Sequence, residues 1–139
     1  MCGICGVVQL GGPPRRVIEP SVFDAMTDLM RHRGPSDRGT YVAPGIALGV
    51  RRLSIVDVEG GHQPFSNEDE SVWAIQNGEL FNHEELRARV AGPSFRSRCD
   101  TEILPHLYEE CGDAVAEQLR GLFPISIWDE KRRRLVVAP

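Results

Sequence analysis

The second residue of the chain, Cys2, carries a thiol that could act as a nucleophile. Methionine is normally removed when a small residue follows it, so loss of Met1 would make Cys2 the N-terminal residue. Its thiol and the freed α-amine then have reference pKa values of about 8.5 and about 7.7–8.0, close enough for the amine to act as the base. One residue would thus supply both nucleophile and base. The alternative is an ordinary cysteine behind a retained Met1.

Cys2 and Cys5 form a C-x-x-C pair, a spacing that also occurs in zinc sites and in redox-active pairs. A structural zinc site needs four ligands, and the sequence has no second close pair of Cys or His residues. The histidines show no metal-ligand spacing either. A redox pair typically follows a strand and opens a helix, whereas this pair begins a predicted strand. We therefore predict no metal site, with a small metal or thiol-redox module as an alternative.

The Asn77-Gly78 pair places a side-chain amide next to a backbone N–H that glycine leaves accessible. Two such donors can converge on an oxyanion and stabilise it. A tight turn with a positive φ is the simpler interpretation of the pair. Arg52, Glu79 and Asp100 are candidates for binding the carboxylate and ammonium groups of an amino acid. Each is also typical of an ordinary surface charge or, for Asp100, of a helix cap.

Hydrophobic periodicity and turn signals predict the elements that would position these residues. The predicted strands span residues 3–10, 46–50, 53–56, 72–76, 122–129 and 135–137. The predicted helices begin after Pro20, span 84–90, and run from Asp100 towards Cys111. Ser21 is the predicted cap of the first helix, whose predicted apolar face consists of Val22, Met26, Leu29 and Met30. This mixture of strands and helices predicts an α+β layered domain.

The size and composition limit the classes of function. The 139 residues suit a single domain, and the apolar share of 41% is ordinary for a globular protein. A net charge of −4 argues against binding to nucleic acid or to an anionic membrane surface. The sequence shows neither a secretory signal nor the roughly 20 consecutive apolar residues of a membrane span. We expect a cytoplasmic protein whose four cysteines stay reduced.

Several motifs occur in an order that closely resembles the start of glutamine-hydrolysing asparagine synthetases. They are MCGICG (1–6), RHRGP (31–35), RLSIVD (52–57), GHQP (61–64), NGELFNH (77–83), DTE (100–102), LRGLF (119–123) and IWDE (127–130). The resemblance covers essentially the whole chain and identifies residues 1–139 as a class II glutamine amidotransferase domain. It implies the fold of an N-terminal-nucleophile hydrolase, a four-layer αββα sandwich in which two stacked sheets are flanked by helices.

The same resemblance implies a reaction and a binding site. The Cys2 thiolate would attack the side-chain amide carbon of L-glutamine, release ammonia, and leave a thioester that water hydrolyses to glutamate. Asn77 and Gly78 would stabilise the oxyanion, Arg52 would bind the α-carboxylate, and Glu79 and Asp100 would bind the α-ammonium group. The implied glutamine-binding residues are Arg52, Leu53, Ser54, Ile55, Val56, Asn77, Gly78, Glu79 and Asp100.

The resemblance also implies a partner that uses the ammonia. In the family a synthetase domain follows, which would hold ATP and Mg²⁺ and amidate an acceptor such as aspartate in asparagine biosynthesis. We expect no cofactor in this segment, and a separate synthetase domain or subunit as a possible partner. Because the family continues with further strands beyond Pro139, we expect a truncated domain. A catalytically silent remnant or an interaction domain is the alternative, because Pro105 and Pro124 interrupt a predicted helix and a predicted strand.

Overall fold

The computed structural model describes residues 2–54 and 60–139, a mixed arrangement of strands and helices. The strands are β1 (Gly3–Val8), β2 (Asp37–Ala43), β3 (Ile46–Arg52), β4 (Phe65–Ser66), β5 (Val72–Gln76), β6 (Glu79–Leu80), β7 (Gly121–Leu122), β8 (Ile125–Asp129) and β9 (Arg134–Ala138). The helices are α1 (Pro20–Asp28), α2 (His83–Arg89) and α3 (Ile103–Cys111), and 3-10 segments span Asp100–Glu102 and Gly112–Gln118. The predicted α+β class is confirmed.

The first sheet is antiparallel, in the order β1-β3-β2. Every residue of its central strand β3 is buried, because helix α1 covers one face and a second sheet covers the other. Gly49 makes the close approach of α1 possible, since a Cβ there would lie 2.5 Å from Thr27 Oγ1 and 3.1 Å from the Phe23 ring. Both of these α1 side chains are fully buried.

The second sheet is antiparallel in the order β4-β5-β8-β9, and a third, two-stranded sheet pairs β6 with β7. Alternation along β5 and β8 sends successive side chains to opposite faces of the second sheet. One hydrophobic core lies between the first and second sheets and contains Ile46, Leu48, Val50, Ile75 and Trp128. The other core joins the second sheet to α2 and α3 and includes Val72, Ala74, Leu86, Ile103, Leu104, Leu107, Ile125 and Ile127. The complete four-layer arrangement stays a prediction.

Helix α1 differs from its prediction in both its cap and its buried face. Glu19 is the N-cap residue and Pro20 is the first helical residue, so Ser21 is not the cap. Val22 is 56% exposed and Leu29 is 78% exposed, so this half of the predicted apolar face is wrong, whereas Met26 and Met30 are half-buried. The buried positions are instead Phe23 and Thr27, four residues apart on the side that contacts β3.

The strand predictions also need correction: β1 ends at Val8 rather than at residue 10, and the two-residue strands β4 and β6 were not predicted. Strand β2, which pairs with β3 over its whole length, was not predicted. Leu53 and Ser54 are not in a strand, and the rest of the predicted strand 53–56 lies outside the described residues. The predicted strand 122–129 is divided, with Pro124 between β7 and β8.

Both prolines that conflicted with the predicted elements occupy tolerated positions. Pro105 is the third residue of α3, within the first turn, where backbone N–H groups have no partner inside the helix. Pro124 breaks the strand, and its carbonyl accepts a hydrogen bond from the Asn77 N–H at 2.9 Å. In the described ranges, no helix has the length and apolar character needed to traverse a bilayer.

Candidate active site

Cys2 lies at the end of the first sheet, half-buried, immediately before β1. Its carbonyl accepts a hydrogen bond from Arg33 Nε at 3.1 Å. Arg33 belongs to the loop 31–35, which is fastened to β3 because Arg51 Nε donates to the Gly34 carbonyl at 2.8 Å. A Cβ on Gly34 would come within 2.2 Å of the Arg51 carbonyl carbon, so glycine is required for this close packing. The loop 31–35 therefore connects the backbone of Cys2 to strand β3 and supports it.

Arg52 ends the strand next to β1 and lies at the same end of the sheet as Cys2. In the antiparallel register Gly3 faces Arg51, so Cys2 precedes this pair by one residue and Arg52 follows it by one. Arg52 is 5% exposed, and a Cβ on Gly61 would collide with its guanidinium. Burial raises the pKa of the Cys99 thiol above its usual value, although the positive charge of Arg52 acts in the opposite direction. Arg52 is thus buried against Gly61 at the Cys2 end of the first sheet.

Asn77 and Gly78 connect β5 of the second sheet to β6 of the third, so this pair is not the turn of a β-hairpin. The predicted positive φ is present at Gly78, at +147°. A Cβ there would lie 1.6 Å from the Leu122 carbonyl oxygen, so only glycine fits. Among the described residues, Asn77 Oδ1 is buried without a hydrogen-bond partner, and neither Asn77 Nδ2 nor the Gly78 N–H makes a hydrogen bond. Asn77 Nδ2 and the Gly78 N–H are therefore two adjacent donors without a partner in the described part of the chain.

Asp100 holds this connection in place. Its Oδ2 accepts a hydrogen bond from the Leu80 N–H at 2.7 Å and another from Gln76 Nε2 at 3.1 Å. The 3-10 turn that begins at Asp100 is capped by Cys99, so the prediction of Asp100 as a helix cap is wrong. The carboxylate is instead used to join this turn to both ends of the segment that carries Asn77 and Gly78.

Gln63 links the sheets and the 3-10 turn beside the site. Its Oε1 accepts from the Gln76 N–H at 2.8 Å, and its Nε2 donates to Thr101 Oγ1 at 3.0 Å. The Gln63 carbonyl also packs directly on Gly39 of β2. Sequence analysis missed Gln63 and Gln76 as supporting residues. For Gln76 a signal existed, because it continues the buried face of β5 set by Val72 and Ala74.

The remaining predicted residues differ in how the structure places them. Leu53 and Ser54 are half-buried and follow directly after Arg52. Glu79 is exposed at the start of β6. Ile55 and Val56, the other predicted binding residues, lie outside the described residues.

The C-x-x-C pair does not form one cluster of sulfur ligands. Cys2 and Cys5 are three residues apart in extended chain, which directs their side chains to opposite faces. The Cys5 thiol lies 3.6 Å from Thr27 Oγ1 on the face covered by α1. Burial raises the pKa of the Cys5 thiol, a change that the contact with Thr27 only partly offsets. The geometry therefore argues against the metal or thiol-redox module.

Comparisons with known proteins relate the whole chain to one family. Residues 1–139 match the glutamine amidotransferase domain family. The asparagine synthetase (glutamine-hydrolyzing) 2 of Bacillus subtilis (strain 168) is 36% identical over 135 residues, which are 97% of this chain and 18% of that protein. Asparagine synthetase (glutamine-hydrolyzing) 3 of the same organism is 39% identical over 142 residues, and the corresponding coverages are 99% and 23%. The chain thus spans about a fifth of the length of these relatives.

The solved structures show a related fold. The glutamine phosphoribosylpyrophosphate amidotransferase from B. subtilis, solved in complex with ADP and GMP, matches with a TM-score of 0.50 and 24% sequence identity. The match covers 64% of this chain and 22% of that chain. This likeness concerns the fold and agrees with the N-terminal-nucleophile type implied by the sequence. On the match of its full length, the chain belongs to the glutamine amidotransferase domain family.

Proposed function

We propose that this domain hydrolyses L-glutamine to glutamate and ammonia through a thioester on Cys2. The observation that carries the proposal is the pair of donors at Asn77 and Gly78. Neither group has a hydrogen-bond partner among the described residues, yet their backbone is fixed by the contact of Gly78 with Leu122 and by Asp100. Donors that are held in place before the reaction can stabilise an oxyanion without reorganising during it.

Cys2 supplies the nucleophile in this proposal. After removal of Met1, its α-amine takes the thiol proton, and the thiolate attacks the amide carbon of glutamine. The carbonyl oxygen of the substrate becomes an oxyanion that the Asn77 amide and the Gly78 N–H stabilise. The protonated amine then returns its proton to the leaving nitrogen, which departs as ammonia. Water then attacks the thioester, and the same two donors stabilise the second tetrahedral intermediate. Its collapse releases glutamate and restores the Cys2 thiol.

The charged side chains of the site fit the two ends of an amino acid. Arg52, buried at the Cys2 end of the sheet, is suited to bind the α-carboxylate because a guanidinium forms paired hydrogen bonds with it. We assign the α-ammonium group to Asp100 and Glu79. Asp100 would keep its hydrogen bonds to Gln76 and Leu80 in the complex. Its carboxylate would therefore both bind the substrate and hold the segment that carries the two oxyanion donors. Leu53, Ser54, Ile55 and Val56 complete the proposed glutamine pocket.

The names of the relatives extend the proposal to the use of the ammonia. Both are asparagine synthetases, of which this chain corresponds to about a fifth. We propose that ammonia from this domain passes to a synthetase domain or subunit that amidates an acceptor carboxylate, such as that of aspartate. ATP and Mg²⁺ would act in that synthetase part.

Release of glutamate from glutamine by the purified chain tests the proposal. We expect turnover in the wild type and none in Cys2→Ala. Cys5→Ala is the matched control, because Cys5 contacts α1 and faces away from the proposed reaction. Asn77→Ala should lower kcat by about 100-fold or more, as loss of one oxyanion donor does elsewhere. A folded wild-type protein without turnover would instead support the catalytically silent alternative.

A further inference from the structure

We propose a second site in this domain, a divalent transition-metal site of the zinc type formed by Glu68, His106 and Glu109. These residues lie near helix α3 and the turn after β4, and none belongs to the proposed glutamine site. Each offers one ligand atom, and the three atoms all lie within 4.8 Å of one another. His106 Nδ1 is 3.7 Å from one oxygen of each carboxylate.

His106 is the observation that separates this cluster from ordinary surface charges. It is 5% exposed, yet its ring makes no hydrogen bond to any residue of the described ranges. The carboxylate oxygens at 3.7 Å are too distant to accept one. Because Nδ1 lies equally far from both carboxylates, the buried imidazole can bind one metal ion together with them. The Phe95 ring packs perpendicular to the imidazole, with ring centroids 5.4 Å apart, and restricts its orientation.

The surroundings suit a bound cation. His106 and Glu109 are three residues apart on α3 and therefore share one face of the helix. Asn67, itself 2% exposed, donates to Glu109 Oε1 at 2.8 Å, and the other oxygen of Glu109 is the one nearest His106. In metal sites a ligand carboxylate usually accepts such a hydrogen bond from a residue that does not itself bind the metal. The neighbouring cation Lys131 is paired with Asp69 at 2.5 Å.

The geometry needs little adjustment to bind the metal. Bonds of roughly 2.0–2.2 Å at tetrahedral angles place two ligand atoms roughly 3.4 Å apart. The two distances of 3.7 Å from His106 are therefore slightly long, and the ligand oxygens of Glu68 and Glu109 lie within 4.8 Å of each other. Glu68, whose side chain is 58% exposed, can move inwards to shorten these distances. The three ligands also line a cavity of about 340 Å³, which leaves room for a water molecule as fourth ligand. One imidazole with two carboxylates favours Zn²⁺ over Mg²⁺ or Ca²⁺, which prefer oxygen ligands alone.

Binding of Zn²⁺ to the full chain, measured by calorimetry, tests the proposal. We expect one saturable site that Mg²⁺ does not occupy. Glu68→Gln and Glu109→Gln should each weaken binding by at least about tenfold, since loss of even an outer-shell partner costs about 10–100-fold. Glu110→Gln is the matched control, because Glu110 lines the same cavity but is not part of the cluster. At 100 times the dissociation constant, Zn²⁺ should raise Tm by about 5–10 °C.

Cobalt(II) distinguishes this site from zinc bound to cysteine. A site of nitrogen and oxygen ligands gives the visible d–d bands of Co²⁺ without a thiolate-to-metal charge-transfer band, whereas binding at Cys2 gives that band. His106→Ala, checked for folding by circular dichroism, should abolish the d–d bands. The proposal is overturned if binding is not saturable, if both carboxylate variants bind as the wild type does, or if only the thiolate band appears. Glutamine hydrolysis is a separate readout, so failure here leaves the proposed function untouched.

Discussion

Asp100 accepts a hydrogen bond from the Leu80 N–H at 2.7 Å and so fastens the 3-10 turn to the end of the segment that carries Asn77 and Gly78. The same oxygen accepts from the side chain of Gln76, at the other end of that segment. One carboxylate therefore sets the position of both proposed oxyanion donors. Its effect on the reaction would be separate from any direct contact with substrate.

Asp100→Asn should loosen this segment. A hydrogen bond to a charged acceptor contributes about 1.5–3 kcal/mol, and Asn can replace only part of the acceptor capacity. We expect the Leu80 amide to exchange its hydrogen about tenfold faster or more, and kcat for glutamine hydrolysis to fall. Native-state hydrogen exchange and steady-state kinetics measure the two effects. A rise in KM alone, with unchanged exchange at Leu80, would mean that Asp100 acts only as a binding residue.

Gly78→Ala should destabilise the protein more than Gly92→Ala. Both glycines have a positive φ, +147° and +104°, so alanine is strained at either position. A Cβ at Gly78 also meets the Leu122 carbonyl oxygen at 1.6 Å, whereas a Cβ at Gly92 has nothing within 4 Å. We expect a loss of about 1–2 kcal/mol at Gly92 and clearly more at Gly78, measured by urea unfolding. Equal losses would contradict the close contact with Leu122.

Glu102 should make stability depend on pH below neutrality. Burial would raise its pKa, but hydrogen bonds from the Ser97 hydroxyl and from the backbone N–H groups of Arg96 and Ser97, together with the charge of Arg87, lower it below 4.5. The unfolded state then binds the proton more readily than the folded state, so protonation favours unfolding. The stabilisation by Glu102 is complete above its ordinary pKa and is lost as the pH falls through the lower, folded value.

The variant Glu102→Gln tests this pH dependence. We expect its free energy of unfolding to lie about 1–3 kcal/mol below that of the wild type at pH 7, and the difference to shrink towards pH 3. The exposed Glu117 provides the control, and Glu117→Gln should show no such trend. A difference between wild type and Glu102→Gln that is constant from pH 7 to pH 3 would exclude the proposed linkage.

Phe23→Ala and Val22→Ala test which face of α1 is buried. Phe23 is fully buried against Gly49, so its truncation should cost about 3–5 kcal/mol. Val22 is 56% exposed, and its truncation should change stability by less than about 0.5 kcal/mol. Thermal or urea unfolding of the two variants is sufficient. The reverse order of stabilities would indicate a different rotation of the helix on the first sheet.

Local sequence signals predicted the elements that depend mainly on local chemistry. Strand β5 is confirmed at its predicted bounds because it is a short apolar run that ends at Asn77-Gly78. Strand β2 was missed although it forms a β-hairpin with β3 through only two residues, Pro44 and Gly45, because its own sequence shows no regular apolar alternation. The face of α1 was mispredicted because it depends on a contact distant in the chain, since the absence of a side chain at Gly49 creates the space that Phe23 fills.

The candidate site, too, could be predicted only where local residue chemistry was sufficient. Residue types with evident chemistry, such as Cys2, Arg52 and Asn77, could be selected from the sequence. The contact of Asp100 with Leu80, and the bridge that Gln63 makes to Gln76 and Thr101, could not. These bonds join residues that are distant in the chain, so they become apparent only after the sheets and the 3-10 turn have packed together.

Covalent labelling with a reactive glutamine analogue, located by mass spectrometry, tests the central claim most directly. We expect the folded protein to lack Met1 and to carry a single adduct on Cys2, with excess glutamine protecting it. Cys5 should remain unlabelled, because it contacts Thr27 and its thiol has a raised pKa. A retained Met1, or an adduct that forms elsewhere while Cys2 stays unmodified, would contradict catalysis by an N-terminal Cys2.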